Sequence, residues 1–218
     1  MHMSDCLSSI QSPRISKLPR EFYLEETLVV ARRLLGKLLV HDTPEGRTAG
    51  RIVEVEAYQG PQDRAAHSYH NLRSKRTEIM YGPGGHAYVF MVYGMHHCFN
   101  IVTRPPEYPQ VVLIRALQPV AGLKLMACRR GLQQFTPAIE RNLANGPGKL
   151  CQAMGITRAL NGEDLCAGRL YLSDDGIVVA ETDLCRTPRV NIDYAGEARD
   201  YPWRFLVTDS PYTSRANF

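Results

Sequence analysis

The sequence predicts a single α+β domain built around a mainly antiparallel β-sheet. Strand-like runs with alternating apolar residues dominate the chain, and they do not alternate regularly with helical stretches as in a parallel α/β fold. The length of 218 residues suits one domain, and 44% hydrophobic residues are enough for a buried core. No repeat, low-complexity tract or linker divides the chain. We therefore expect one domain over residues 18–218, preceded by a flexible N-terminal tail over residues 1–17.

The first part of this domain is predicted to contain a lead-in, a helix and two strands. Residues 18–23 are predicted to be extended. Apolar residues at helical spacing predict a helix over residues 25–35, and Gly36 follows where a C-terminal cap would lie. Two strands are expected next, over residues 38–41 and 50–58, connected by a turn that contains proline and glycine.

A β-hairpin is the clearest element in the middle of the chain. Residues 88–93 alternate in the manner of a strand, Gly94 and Met95 are expected at the tip, and residues 96–103 form the return strand. The other expected elements are a helical turn over residues 77–81, strands over 110–118, 168–172, 177–180, 189–192 and 203–208, and helices over 120–130 and 150–154.

Two glutamates on the strand over residues 50–58 are candidates for acid–base chemistry. Alternation along a strand places Glu54, Glu56 and Tyr58 on one face. Paired carboxylates are typical of glycoside hydrolases, but there the two acids flank the scissile bond several ångströms apart, which neighbours on one strand seldom achieve. We expect one glutamate to be catalytic and the other to pair with a cation such as Arg51. The local pattern alone favours a plainer interpretation, a surface salt bridge for each carboxylate.

Aromatic residues cluster on the same strand and on the hairpin. Tyr58, Tyr88 and Phe90 are consistent with ordinary buried strand positions, because strands favour aromatic side chains. Tyr93 is harder to explain in that way, since it lies beside the expected hairpin tip. Together with the nearby carboxylates and a basic segment at residues 73–76, these aromatics suggest a cleft that holds a flat ring.

The net charge allows a polyanionic partner. The formal charge of +4 and the pI near 8.8 permit such a partner without requiring one. A glycine-rich turn at residues 146–149 lacks the spacing of a P-loop. A turn of this kind that opens a helix could still hold one phosphate through its backbone N–H groups.

Cysteine and histidine usage argues against a metal site. The six cysteines show neither a C-x-x-C motif nor zinc-type spacing, so we expect reduced thiols in an intracellular protein. The histidines form no recognisable ligand set, and neither a metal nor a cofactor is expected. The sequence contains no apolar run long enough to span a membrane, and its first residues do not resemble a signal peptide.

Six stretches distributed along the chain form a specific combination. They are Glu54-Val55-Glu56-Ala57-Tyr58, Ala65-Ala66-His67-Ser68, residues 88–95, Phe99-Asn100-Ile101, Leu113-Ile114-Arg115-Ala116-Leu117 and Gly146-Pro147-Gly148-Lys149-Leu150. The combination closely resembles the alkyladenine DNA glycosylases, also called 3-methyladenine DNA glycosylases of the mammalian type, and the similarity extends from Leu18 to Pro211. The resemblance implies a single compact domain around a curved antiparallel sheet, with surrounding helices and a protruding β-hairpin that enters the DNA minor groove.

The resemblance also implies how a damaged base is reached. The target base is buried in the duplex, so the enzyme must rotate it out before the chemistry. Tyr93 matches the residue that fills the gap left in the stack, with Met95 beside it. The flipped base would lie between Tyr58 on one side and His67 with Phe90 on the other, where an aromatic sandwich favours electron-poor or cationic purines. The best-known members have tyrosine at the position of Phe90.

Four further residues match the chemical part of the family's site. Glu56 matches the general base that activates a water for attack on C1′ as the glycosidic bond breaks. Arg115 matches a residue that helps to position this water and contacts a phosphate, and the backbone carbonyl of Val190 would also hold the water. Asn100 matches a residue that obstructs the 2-amino group of normal guanine. The implied enzyme is a monofunctional base-excision repair glycosylase for alkylated or deaminated purines: 3-methyladenine, 7-methylguanine, hypoxanthine and ethenoadenine.

The implied partner is double-stranded damaged DNA, bound by a monomer without a cofactor, a metal or a membrane. The implied location is intracellular and DNA-associated, in the cytoplasm or nucleoid of a bacterium or the nucleus of a eukaryote. A bifunctional glycosylase/lyase is one alternative, but it needs an amine nucleophile, whereas residue 2 is His and no lysine is expected in the pocket motifs. A catalytically silent damage sensor is another, and it would lack the carboxylate that Glu56 supplies. A soluble α+β domain of other function is the third.

Overall fold

The fold is a curled antiparallel sheet with helices packed against it. The computed structural model describes residues 16–134 and 136–214, and within them nine strands form the sheet. The strands are β1 (Ser16–Lys17), β2 (Leu38–Thr43), β3 (Gly46–Tyr58), β4 (Ala87–Val92), β5 (His96–Thr103), β6 (Gln110–Ala121), β7 (Leu170–Asp174), β8 (Leu184–Thr187) and β9 (Arg204–Val207). The helices are α1 (Arg20–Leu24), α2 (Thr27–Leu34), α3 (Leu123–Arg129), α4 (Pro137–Asn142) and α5 (Pro147–Met154).

Strand β3 is the centre of the sheet. The strand order is β1-β7-β2-β3-β6-β5-β4, with β9 pairing both β3 and β8, and all of these pairs are antiparallel. One edge of β3 pairs with β2 and then, through Glu54 to Glu56, with β9, while the other edge pairs with β6. The register with β6 is irregular around Glu54. Such a bulge bends a strand and increases its twist, which lets β2 and β9 share one edge of β3.

One face of β3 contributes to the main hydrophobic core. Val55 and Ala57 are buried there, in the same cluster as Val30 and Leu34 of α2, which recur at helical spacing. Burial of an aliphatic side chain of this size contributes about 1.5–3 kcal/mol. Because side chains alternate along a strand, the burial of these two residues points Glu56 to the opposite, polar face.

Strands β4 and β5 form the predicted hairpin, and its tip is exposed. A 3.2 Å hydrogen bond from the Met95 N–H to the Val92 carbonyl closes the turn. Tyr93 and Gly94 have φ values of 52° and 70°, a pair of positive values that is typical of a type I′ turn. The side chains of Tyr93 and Met95 are 87% and 69% exposed. The fold therefore presents two large apolar side chains on a tight, well-defined turn.

The structure confirms the α+β class and most of the predicted elements, and it corrects several. Residues 18–23 are not extended, because most of them belong to α1. The predicted helix over 120–130 begins late, since β6 continues to Ala121 and Gly122, with φ 74°, separates that strand from α3. The strands expected over 177–180 and 189–192 are loops. Strand β8, only four residues long, has too little alternation to be predicted.

The predicted tail and thiols are tested only in part. Most of residues 1–17 lies outside the described residues, but Ser16–Lys17 forms β1 and pairs with β7. The cysteines of the described part are free thiols, as predicted, and Cys6 lies outside it. Over 16–134 and 136–214, no helix is both long and apolar enough to cross a membrane, and no group of His, Cys, Asp and Glu residues is arranged to hold a metal ion.

Candidate active site

An open cavity of about 820 Å³ lies at the end of β3 that carries Glu56. Residues of the hairpin, of the first turn of α5 and of the loop around Val190 complete its lining. Every predicted site residue except Met95 lines this cavity. Met95 borders an adjacent cavity, which shares His96 and Gly148 with the first. The sheet thus brings together side chains that are far apart in sequence, around the carboxylate predicted to be catalytic.

The carboxylate of Glu56 is held at both of its oxygens. The backbone N–H of Val190 donates to Oε1 at 2.7 Å, and Arg115 Nη1 lies 3.3 Å from the same atom. The Tyr58 hydroxyl donates to Oε2 at 2.9 Å. Hydrogen bonds to an ionised group are stronger than neutral ones, so these contacts fix the orientation of the carboxylate. Because the Val190 N–H is used here, residues 189–192 form a loop rather than the predicted strand.

Glu54 organises the cations next to Glu56. Its Oε1 accepts hydrogen bonds from Arg115 Nε at 2.9 Å, Arg204 Nε at 2.8 Å and Ser214 Oγ at 2.7 Å. Burial alone would raise the pKa of Glu54, but the two guanidinium groups and Ser214 lower it by more, so the pKa lies below its ordinary value. The charged Glu54 therefore holds Arg115 in the orientation that reaches Glu56.

Glu54 pairs with cations, as expected, but Arg51 is not one of them, and the plainer interpretation of surface salt bridges is wrong. Arg51 does not pair with Glu54, because its guanidinium binds Asp175 at 2.7 Å. Neither Glu54 nor Glu56 forms a surface salt bridge, since both side chains are fully buried. The local alternation of β3 could not show this, because the cations that cover the carboxylates come from β6 and β9.

Arg115 remains charged in this buried setting. Burial lowers the pKa of its guanidinium, but the carboxylates of Glu56 and Glu54 raise it by more, and the pKa lies above its ordinary value. Its Nη2 donates to Ser214 Oγ at 3.2 Å. The guanidinium therefore joins the two carboxylates to the C-terminal segment of the described chain.

Tyr58 forms part of the cavity wall and is supported by an ion pair that does not line the cavity. The guanidinium of Arg189 lies 4.6 Å from the Tyr58 ring centroid and binds Asp63 through two contacts of 2.5 and 2.8 Å. Both charged side chains are fully buried. Burial and the neighbouring Glu56 carboxylate raise the pKa of the Tyr58 hydroxyl, so that it stays protonated and donates to Glu56.

His67 and Phe90 form another part of the wall, with an edge-to-face contact between ring centroids 4.6 Å apart. Arg76 Nη2 donates to His67 Nε2 at 3.1 Å, so the proton of the neutral ring resides on Nδ1, which lies 2.8 Å from the Tyr88 hydroxyl. Burial, reinforced by Arg76, lowers the pKa of His67 to about 4. His67 is therefore an uncharged ring at neutral pH.

Asn100 lies on β5, directly opposite Tyr88 in the hairpin register. It is buried, lines the cavity, and donates from Nδ2 to the Tyr88 carbonyl at 3.1 Å. A plainer role for an asparagine at this position would be a hydrogen bond that ties its own strand end to a neighbouring turn. The observed bond instead crosses to the neighbouring strand and fixes the amide beside the aromatic residues of the wall.

The lining residues without an individual predicted role include Tyr88, Arg76 and Lys149. The sequence indicated only that Tyr88 lies on an alternating strand and that Arg76 belongs to the basic segment at residues 73–76. Lys149, in the first turn of α5, also lines the cavity, so the expectation of a pocket without lysine is wrong. The Lys149 ammonium donates to the Oδ1 of Asn145 at 2.9 Å.

Comparisons with known proteins identify the family. The family model described as methylpurine-DNA glycosylase matches residues 21–211. A protein of Desulfitobacterium hafniense with the provisional name 3-methyladenine DNA glycosylase is 50% identical over 203 residues, which cover 92% of this chain and 99% of the relative. Proteins with the same provisional name are 48% identical in Bacillus cytotoxicus, covering 91% of this chain and 100% of the relative, and in Alkaliphilus oremlandii, covering 91% and 99%. The chain therefore belongs to the methylpurine-DNA glycosylase family and is a DNA glycosylase that hydrolyses an N-glycosidic bond.

Proposed function

We propose that this enzyme rotates alkylated or deaminated purines out of duplex DNA and hydrolyses their N-glycosidic bonds with a water activated by Glu56. The substrates are 3-methyladenine, 7-methylguanine, hypoxanthine and ethenoadenine, and the product is an abasic site. The observation that carries the proposal is a carboxylate fixed at both oxygens, on the wall of a cavity with aromatic sides. Family membership implies that the enzyme binds damaged DNA.

In this mechanism Glu56 acts in two ways. Its negative charge stabilises the oxocarbenium-like state that develops as the base leaves, and the carboxylate takes a proton from the water that attacks C1′. The N–H of Val190 and the hydroxyl of Tyr58 hold the carboxylate in place. We assign the Val190 carbonyl to the attacking water, and Arg115 both to that water and to a neighbouring DNA phosphate. No covalent intermediate with the enzyme forms.

The aromatic side chains receive the flipped base. We propose that the purine stacks between Tyr58 on one side and His67 with Phe90 on the other. Phe90 retains the stacking surface of the tyrosine found in the best-known family members, without its hydroxyl. Asn100 disfavours guanine, because its side chain meets the exocyclic amino group that guanine carries at C2 and that adenine and hypoxanthine lack. 7-Methylguanine carries the same amino group, but its cationic purine leaves more readily, which offsets that penalty.

The hairpin opens the duplex. We propose that Tyr93 enters the base stack from the minor groove, with Met95 beside it, and fills the space that the flipped nucleotide leaves. Insertion of an apolar side chain costs a few kcal/mol of unstacking, which contacts to the displaced base offset. The exposure of both side chains on a tight turn supports this role, and the formal charge of +4 favours association with DNA. The enzyme would act on intracellular DNA as a monomer without a metal or cofactor.

The direct test is release of free base from duplexes that each contain one lesion. Chromatography would detect 3-methyladenine, 7-methylguanine, hypoxanthine or ethenoadenine, and alkali treatment would cleave the strand at the abasic site. Release of at least one of these bases by the purified protein is expected. Failure with all four, under conditions in which the protein binds the duplexes, would contradict the proposed substrates.

A lyase activity is the second candidate, because Lys149 lines the cavity. An amine nucleophile would form a Schiff base with the sugar, which borohydride converts into a stable protein–DNA adduct. We expect no adduct, since the held carboxylate of Glu56 suits activation of a water. An adduct that disappears in Lys149→Met would show that the enzyme is bifunctional.

A further inference from the structure

We propose that Arg76 sets the lesion preference of the pocket, because it is a resident cation that disfavours positively charged purines and favours neutral ones. This inference rests on the proposed function and refines its substrate class. Among the proposed substrates, 3-methyladenine and 7-methylguanine carry a positive charge on the purine, whereas hypoxanthine and ethenoadenine are neutral. The two groups therefore differ in how they interact with a fixed guanidinium.

The first observation is where Arg76 lies. Its guanidinium carbon is 4.9 Å from the centroid of the Phe90 ring, and its Nη2 donates to His67 Nε2 at 3.1 Å. These are the two side chains assigned to one face of the flipped base. Arg76 itself lines the cavity. The cation therefore already contacts both of the rings that would attract a cationic purine.

The second observation is that no acid neutralises this charge. Across residues 16–134 and 136–214, no carboxylate oxygen lies within ion-pair distance of Arg76. The nearby Arg73, by contrast, binds Glu78 and Glu107, each at 2.8 Å. His67 adds no charge of either sign at neutral pH, since its pKa is about 4. The part of the wall formed by His67 and Phe90 thus carries a positive charge that is not paired with a carboxylate of the described residues.

The consequence differs between the two kinds of lesion. An aromatic sandwich by itself favours a cationic purine through cation–π attraction. With Arg76 present, a cationic purine must displace the guanidinium from Phe90 or lie beside a like charge. A neutral purine keeps acceptor atoms on its edges, and a guanidinium has only donors, so the two can form hydrogen bonds. Arg76 therefore offsets the preference that the rings would otherwise impose.

The test compares Arg76→Gln with a matched variant, Lys75→Gln. Each variant removes one exposed positive charge from the same loop, but Lys75 does not line the cavity. Single-turnover excision of 7-methylguanine and of hypoxanthine would be measured in otherwise identical duplexes. We expect the 7-methylguanine-to-hypoxanthine rate ratio to rise by roughly tenfold in Arg76→Gln, which corresponds to about 1.4 kcal/mol. The ratio in Lys75→Gln should remain within about twofold of wild type.

A third variant separates charge from shape. Arg76→Lys keeps the cation but loses the planar, forked guanidinium, so its ratio should stay closer to wild type than that of Arg76→Gln. An unchanged ratio in Arg76→Gln, in a variant that melts like wild type and still excises hypoxanthine, would overturn the proposal. An equal rise of the rate ratio in Lys75→Gln would overturn it too, because the loss of any positive charge in this loop would then have the same effect. If the wild-type protein releases neither base, the proposed function itself fails, and this inference fails with it.

Discussion

At the scale of single residues, we propose that Asn100 controls the rejection of a normal base. It is buried, and the bond from Nδ2 to the Tyr88 carbonyl holds its amide in place. Serine in its place would remove the bulk at the C2 edge of a bound purine. We predict that Asn100→Ser raises the ratio of guanine to hypoxanthine excision by roughly tenfold, measured with guanine opposite thymine.

The matched control for this variant is Asn161→Ser. Asn161 also binds the hairpin, by accepting a hydrogen bond from the Val89 N–H through Oδ1, but it is exposed and does not line the cavity. Its substitution should leave the guanine-to-hypoxanthine ratio unchanged. If the ratio is also unchanged in a normally folded Asn100→Ser, Asn100 is not the residue that excludes guanine.

His67 makes the stability of the protein depend on pH. An ordinary histidine titrates near 6.5, whereas burial and Arg76 lower the pKa of His67 to about 4. Between these values the unfolded state binds a proton that the folded state does not, so stability falls as the pH drops from about 6.5 towards 4. We predict that the loss in the free energy of unfolding between pH 7 and pH 4.5 is smaller in His67→Asn than in the wild type, by roughly 2–3 kcal/mol. Urea unfolding at pH 7 and pH 4.5 measures it, and equal losses in both proteins would show that His67 is not the cause.

At the scale of elements, the hairpin is predicted to act on base flipping rather than on the chemical step. Tyr93→Ala should reduce excision roughly tenfold or more from well-paired sites and much less from bulged or mismatched sites, where unstacking costs least. Tyr108→Ala removes another exposed aromatic ring, 52% accessible, and serves as the control. Equal losses on paired and bulged substrates would argue that Tyr93 is not a wedge.

Elements with strong local patterns could be predicted, and those defined by distant contacts could not. Alternation along β3 and the glycine after Tyr93 are enough to predict a central strand and a hairpin tip. The loop around Val190 was predicted as a strand because its apolar residues resemble one. Its backbone is instead positioned by the hydrogen bond from the Val190 N–H to the Glu56 carboxylate. The neighbouring Arg189 binds Asp63, 126 positions earlier in the chain. No local pattern records such a pairing.

At the scale of the whole molecule, the site is held by a charge network that spans most of the chain. Glu54 on β3 joins Arg115 on β6, Arg204 on β9 and Ser214, which is 160 positions away in sequence. Removal of one partner from a buried network of this kind leaves an uncompensated charge, which costs about 3–5 kcal/mol. The carboxylates were predictable as candidates, but their burial was not, because the curl of the sheet creates it. The proposed roles of individual residues rest on family resemblance rather than on local pattern.

Single-turnover excision by Glu56→Gln is the decisive test of whether Glu56 activates the attacking water. Glutamine fits the same space: its carbonyl oxygen can accept from the Val190 N–H and its NH2 group can donate to the Tyr58 hydroxyl oxygen. It can, however, neither take the proton from the water nor offer a negative charge. With the exposed Glu107→Gln as control, we predict unchanged lesion binding and an excision rate reduced by roughly 10²–10⁴. A rate within tenfold of wild type, in a variant that folds and binds normally, would contradict the assignment of Glu56 as the general base.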